Sequence, residues 1–183
     1  ELAKISAREM EQIQKKLATY QVDWTAGENP EDADIDLKVT TSAKDNSVEA
    51  GDKISITATV TNKGKATLHR IKAIASSDNP VLDDREFLFG TLKPNQTKSW
   101  TVDIEMPQEM PSRYDPLTMQ VSGPAHHYGT TLSQPVRIVG QPHPQFAFTY
   151  EIEDENGDGI LQKGEEVTFR TLVKNVGAAD SNE

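Results

Sequence analysis

The chain has 183 residues, enough for one domain with a full hydrophobic core, and a formal net charge of −10. Hydrophobic residues make up 35% of it, charged residues make up 26%, and there is no cysteine. The negative charge repels phosphate backbones and argues against nucleic acid as a partner. The lack of cysteine excludes disulfide bonds and a cysteine nucleophile. No apolar run in the sequence approaches the length of a membrane span.

Residues 1–20 are predicted to form an N-terminal linker helix. Its apolar residues recur at roughly helical spacing: Leu2, Ile5, Met10, Ile13, Leu17 and Tyr20. Ser6 and Glu9 add a capping-box pattern. Two interpretations are open for the apolar stripe. It docks on a neighbouring domain of the same polypeptide, or it pairs with a second copy as a short coiled coil.

Residues 21–33 are acidic and contain Gly27 and Pro30, a composition that predicts a linker at a domain boundary. Trp24 lies within this linker. We expect it to be an apolar anchor on the surface of the first domain rather than a platform for a ligand.

Residues 34–140 change to a period of two, with about seven short alternating runs separated by turn signals such as Lys93-Pro94-Asn95. Each run is apolar on one face and polar on the other. This pattern predicts an all-β fold, a seven-stranded immunoglobulin-like β-sandwich. The side chains expected to point inward are Ile54, Ile56, Val60, Ile71, Trp100, Val102 and Ile138.

An internal repeat links residues 50–64 (AGDKISITATVTNKG) to residues 163–177 (KGEEVTFRTLVKNVG). Gly51 corresponds to Gly164, Asn62 to Asn175 and Gly64 to Gly177, with an alternating strand between the glycines. We therefore interpret residues 141–183 as the start of a second, truncated immunoglobulin-like module. Because two strands cannot enclose a core, the natural polypeptide is expected to continue.

Residues 154–165 match the twelve-residue calcium loop D-x-[DN]-x-[DN]-G-x5-E. The predicted ligands of a structural Ca²⁺ are the side chains of Asp154, Asn156, Asp158 and Glu165 and the carbonyl of Ile160. The residues on both sides alternate as strands, so the loop is not part of a helix-loop-helix EF-hand. The alternative is an acidic, glycine-rich hairpin turn that binds no metal.

The repeat pattern, together with residues 92–97 (LKPNQT), resembles the bacterial immunoglobulin-like accessory modules of the cell-adhesion-related type. Three stretches resemble, more narrowly, the region downstream of the catalytic core in a branch of the tail-specific (carboxyl-terminal processing) serine protease family. They are residues 22–27 (VDWTAG), 77–90 (SDNPVLDDREFLFG) and 144–167 (PQFAFTYEIEDENGDGILQKGEEV).

In that family a serine and a lysine hydrolyse peptide bonds, in a domain that works with a PDZ module. Neither the surroundings of those residues nor a PDZ-like stretch occurs in this chain, so no catalytic residue is assigned. The resemblance implies an exported hydrolase, periplasmic or in the cell envelope or extracellular, with this chain as its non-catalytic accessory domain. The implied partners are the neighbouring domains and a protein or peptide substrate. The alternative is a tandem adhesion or surface-structure protein with no enzyme attached.

Overall fold

A computed structural model describes residues 2–154, 157–160 and 162–181, without the side chains of residues 2–7 and 129–131. The chain divides into two compact units, Glu1–Gly140 and Gln141–Glu183. The described elements of the first unit are α1 (Leu2–Thr19), β1 (Ile35–Thr41), a single 3-10 turn (Lys44–Asn46), β2 (Ser47–Glu49), β3 (Lys53–Asn62), β4 (Leu68–Ser76), β5 (Arg85–Leu92), β6 (Thr97–Glu105), β7 (Arg113–Ser122) and β8 (His127–Val139).

The strands of the first unit form two sheets, one with the order β1-β3-β6 and one with the order β2-β8-β7-β4-β5. Neighbouring strands are antiparallel except for β2, which pairs in parallel with β8. Because β3 and β4 are consecutive but lie in different sheets, as do β5 and β6, the chain crosses between the sheets as in an immunoglobulin domain. The predicted all-β class and immunoglobulin-like sandwich are confirmed.

The core lies between the inward faces of the two sheets. In β3 the buried residues alternate without interruption from Ile54 to Asn62. Five of the predicted core residues are buried, namely Ile54, Ile56, Val60, Ile71 and Ile138. Trp100 and Val102 are only half-buried and pack against the margin of the core. Both side chains therefore point inward as expected, at the margin of the core rather than in its centre.

Helix α1 keeps much of its described apolar surface in solvent. Met10 and Leu17 are half-buried, whereas Ile13 is 47% exposed. The helix leads into the sandwich through Tyr20, whose ring meets that of Trp100 edge to face, with 6.4 Å between centroids. Among the described residues, no helix is both long enough and apolar enough to cross a membrane.

The described part of the second unit contains one antiparallel pair of strands, β9 (Phe146–Asp154) and β10 (Val167–Asn175). Their register joins Phe146 to Asn175 at one end and Asp154 to Val167 at the other. The hairpin loop is therefore the segment in which the calcium motif occurs.

Candidate functional site

The loop between β9 and β10 is folded by hydrogen bonds to its own carboxylates. The Gly159 N–H donates to Asp154 Oδ2 at 2.8 Å, and the Ile160 N–H donates to Asp158 Oδ1 at 2.8 Å. Gly157 and Gly159 have φ angles of +72° and +75°, a region that residues with a Cβ rarely occupy. The two glycines of the loop, of which Gly159 belongs to the motif, are therefore favoured by the path of the chain.

The second half of the loop is closed in the same manner. The Gln162 N–H donates to Glu165 Oε2 at 2.9 Å, and its side-chain amide donates to Asp158 Oδ2 at 3.2 Å. The hydrogen bond from the Gly159 N–H holds the pKa of Asp154 below its ordinary value, because that bond favours the ionised carboxylate. Asp154 thus shapes the loop in its charged form.

The donor set fits calcium in its chemistry, since Asp154, Asp158, Glu165 and the carbonyl of Ile160 offer the hard oxygen atoms that Ca²⁺ prefers. Asn156, the remaining predicted ligand, lies outside the described residues. Among the residues that the structure describes, no three acidic, histidine or cysteine side chains converge as a metal site. The described ligands Asp154, Asp158, Ile160 and Glu165 therefore lie on one loop, and their convergence on a cation stays a prediction.

A second site lies at the other end of the chain, where residues 22–29, called here the anchored segment, run along the sandwich. Val22 is only 4% exposed, and the carbonyl of Asp23 accepts a hydrogen bond from the Thr91 N–H at 2.8 Å. Gly90 makes this approach possible, because a Cβ at that position would collide with the Asp23 carbonyl. Its φ of +69° also favours glycine.

Trp24 contributes its main chain more than its ring. Trp24 is only half-buried, whereas its carbonyl accepts hydrogen bonds from Arg70 Nε at 3.1 Å and from Gln14 Nε2 at 3.2 Å. These two bonds join the end of α1 and strand β4 to one atom. Val22 is the more deeply buried apolar residue of this segment, and the role of Trp24 as a surface anchor stays a prediction.

Asn29 fixes the far end of the anchored segment. Its side-chain amide bonds the main chain of His69 twice, Nδ2 donating to the carbonyl at 2.9 Å and Oδ1 accepting from the N–H at 2.7 Å. A single side chain thereby satisfies a backbone donor and acceptor as a neighbouring strand would. Sequence reasoning missed this residue. Gly90 inside strand β5 could have signalled the close approach of Asp23, but it gives no sign of Asn29.

Charge reinforces the contact between the anchored segment and the sandwich. The hydroxyl and N–H of Thr25 donate to Asp23 Oδ1, and chiefly the hydroxyl bond lowers the pKa of Asp23. The positive charge of Lys98, on strand β6, also lowers the pKa of Asp23. The Nζ of Lys98 donates to the carbonyl of Phe89 at 2.9 Å. Partial burial lowers the pKa of Lys98, and the nearby Asp23 carboxylate offsets part of that effect.

The solved structures to which the chain is similar resemble it only remotely. No protein-family model and no curated protein matches the chain. A CARDB domain from Pyrococcus furiosus, a cell-adhesion-related immunoglobulin-like sandwich, shares 14% identity at a TM-score of 0.46, covering 58% of this chain and 97% of its own. An alkylpurine DNA glycosylase of Pseudomonas fluorescens shares 10% identity at a TM-score of 0.41, covering 59% and 31%. A Niemann-Pick type C2 protein of the Japanese carpenter ant shares 12% identity at a TM-score of 0.40, covering 58% of this chain and 94% of its own. Likenesses at this level carry no argument about function.

Proposed function

We propose that this chain is a non-catalytic spacer or recognition module of immunoglobulin-like units within an exported multidomain protein. The observation that carries the proposal is the anchored segment. A spacer must hold the chain that enters it in a fixed direction, and residues 22–29 are bound at both ends to the sandwich. Backbone and side-chain bonds distributed over Asp23, Trp24 and Asn29 oppose free rotation at this entry point.

Backbone ¹⁵N relaxation of the 183-residue chain tests the proposal. We expect order parameters of about 0.85 in the anchored segment, equal to those of the strands. Asn29→Ala should lower them in residues 25–29, because both bonds to His69 are lost. Glu28→Ala, at an exposed neighbouring position, is the matched control and should leave them unchanged. Order parameters below about 0.6 in the unmutated segment would contradict a rigid spacer.

The parent that we propose is an exported serine protease of the tail-specific type, with this chain as its accessory domain. The support is the resemblance of residues 22–27, 77–90 and 144–167 to that family. In a protein-degradation assay the full natural polypeptide should then be active and the 183-residue chain inactive. Proteolysis by the 183-residue chain would contradict a non-catalytic module. An inactive full polypeptide would favour the tandem adhesion protein instead.

We also propose that the loop between β9 and β10 binds a structural calcium ion that stiffens the second unit. Asp154, Asp158, Glu165 and the Ile160 carbonyl would hold it, together with Asn156. The support is the complete sequence motif and the oxygen-only donor set. Three carboxylates close in sequence repel one another, and a divalent cation would remove that repulsion and order the loop.

Titration with calcium chloride, followed by the amide resonances of Gly157, Gly159 and Ile160, tests the calcium proposal. We expect saturable shifts with a Kd on the order of 10⁻⁴–10⁻³ M, as in extracellular calcium modules. Asp158→Ala should abolish the shifts. Glu166→Ala, which removes an adjacent carboxylate that the motif does not use, should preserve them. An absence of shifts at ten millimolar calcium would leave only the acidic turn.

A further inference from the structure

A surface cleft of about 340 Å³ lies where the anchored segment meets the turn between β7 and β8. Residues 27–29 form one wall of the cleft, and residues 124–126 form the other. The turn is closed by a hydrogen bond from the Gly123 N–H to the His126 carbonyl at 2.9 Å. Both walls belong to the first unit. A cleft of this size is at the lower end of the range found for small-molecule sites.

Two glycines hold the walls of the cleft close to a pair of aromatic side chains. A Cβ on Gly123 would lie 2.6 Å from Asn29 Nδ2 and 3.3 Å from Tyr128 Oη. A Cβ on Gly27 would lie 2.3 Å from the nearest ring atom of His69. The hydroxyl of Tyr128 and the ring of His69 therefore lie directly against the two segments between which the cleft opens.

Two buried polar atoms at this position, Tyr128 Oη and His69 Nδ1, have no hydrogen-bond partner among the described residues. Tyr128 is only 2% exposed. A buried hydroxyl without a partner costs free energy, and nearly all buried polar groups of native proteins are paired. A ligand in the cleft that brings hydrogen-bonding groups to these two atoms would recover that cost, so the pair points to a binding site.

The charges around the cleft favour a cation as the ligand. Residues 21–36 contain six acidic side chains and no lysine or arginine, and one of the six, the exposed Glu28, lies on the wall of the cleft. Arg70 is engaged elsewhere, since its Nε donates to the carbonyl of Trp24. A carboxylate, a phenolic oxygen and the Nδ1 of an imidazole protonated at Nε2 all accept hydrogen bonds. A guanidinium group matches such acceptors, because it offers five N–H donors in one plane and a positive charge.

We infer that this cleft binds a guanidinium group, such as an arginine side chain of a partner protein presents. Its N–H groups donate to Tyr128 Oη and His69 Nδ1, and its charge faces the carboxylate of Glu28. Asn29 shapes the wall without binding the ligand, because its side-chain amide is engaged with the main chain of His69. The inference depends on the cleft alone, so its test is separate from those of the calcium loop and of the order of the anchored segment.

Titration of the 183-residue chain with Nα-acetyl-L-arginine amide, followed by the amide resonances of Gly27, Asn29 and Ala125, tests this inference. We expect saturable shifts with a Kd on the order of 10⁻³ M, as for a ligand of this size. Nα-acetyl-L-citrulline amide has nearly the same shape without the positive charge and should cause no saturable shifts over the same concentrations. An arginine derivative that does not bind, or a citrulline derivative that binds equally well, would overturn the inference.

Two acidic residues of the same stretch provide a first pair of variants. Glu28→Gln should weaken the binding of the arginine derivative by about two- to fivefold, because it removes an exposed charge beside the ligand. Glu31→Gln changes an exposed carboxylate that does not line the cleft and should retain the affinity. Equal affinity of the Glu28→Gln variant and the original chain would contradict the placement of the ligand charge.

Two tyrosines provide a second pair, with folding stability as an independent measurement. Tyr128→Phe should weaken binding about tenfold, while its thermal midpoint should equal or exceed that of the original chain, because the hydroxyl loses no described partner. Tyr114→Phe, at a position that is 67% exposed, should change neither quantity. A lower midpoint for Tyr128→Phe would show that the hydroxyl is already bonded in the free protein, and unchanged affinity would show that it does not meet the ligand. Either result would overturn the inference.

Discussion

The pair β1–β3 and the pair β9–β10 share antiparallel pairing, an exit turn and an asparagine whose Nδ2 donates to the carbonyl four residues later, yet they differ completely in burial. Ile56 in β3 is fully buried, whereas its counterpart Phe169 in β10 is 61% exposed. The comparison separates two contributions to a β-sandwich. Local sequence specifies strand pairing and turns, while the burial that stabilises them comes from strands distant in sequence.

The largest expected difference between the two pairs concerns their central apolar residues. Ile56→Ala should reduce the free energy of unfolding of the first unit by about 2–5 kcal/mol, because it leaves a cavity in a packed core. Phe169→Ala should change that free energy by less than about 0.5 kcal/mol, as for an exposed position. Urea denaturation monitored by Trp100 fluorescence measures both changes in the free energy of unfolding. Equal losses from the two variants would show that the hairpin face is not solvent-exposed.

A smaller difference is expected for the two asparagines. Asn62→Ala removes the partners of the Ala66 and Leu92 carbonyls and of the Gly64 N–H, in a buried setting. It should cost about 1–3 kcal/mol in the same denaturation experiment. Asn175→Ala exposes the equivalent groups to water, so the transition of the first unit should not move. An Asn62→Ala variant as stable as the original chain would show that the hydrogen bonds of Asn62 do not stabilise the first unit.

Strand β3 shows how much of the fold the sequence could predict. Its alternation predicted the inward residues correctly because one face of a sheet strand repeats every second position. The three-residue strand β2 was missed because it is too short to show a period. Trp100 and Val102 alternate as well as Ile54 does, yet they are only half-buried at the margin of the core, a difference in depth that alternation does not report.

The functional regions were less predictable, because they depend on contacts between distant residues. The bonds from Asn29 to His69 and from Thr91 to Asp23 join segments far apart in the sequence. No local pattern in an acidic linker specifies them. The calcium loop is the opposite case, since its motif is a continuous stretch of sequence that can be recognised without knowledge of the fold. Whether its carboxylates converge on a cation is a prediction that the calcium titration tests.

The smallest expected effect is the pH response of the hairpin loop. Because the pKa of Asp154 is lowered in the folded loop, its hydrogen bond from Gly159 is complete above the ordinary value of 3.8 and is lost as the pH falls through the lowered value. The Gly159 amide resonance should therefore shift with a midpoint below pH 3.8. Asp154→Asn should remove this titration. A midpoint above the ordinary value would mean that the carboxylate is not stabilised by the loop.

The difference between the two strand pairs is tested most directly by hydrogen exchange within the 183-residue chain itself. Amides of β3 from Ile54 to Val60 should exchange only by global unfolding of the first unit, because the strand is paired on both sides and buried. Amides of β10 should exchange faster by on the order of 10³-fold or more. Equal protection of β3 and β10 in this chain would contradict the interpretation of the hairpin as an uncovered half of a sandwich.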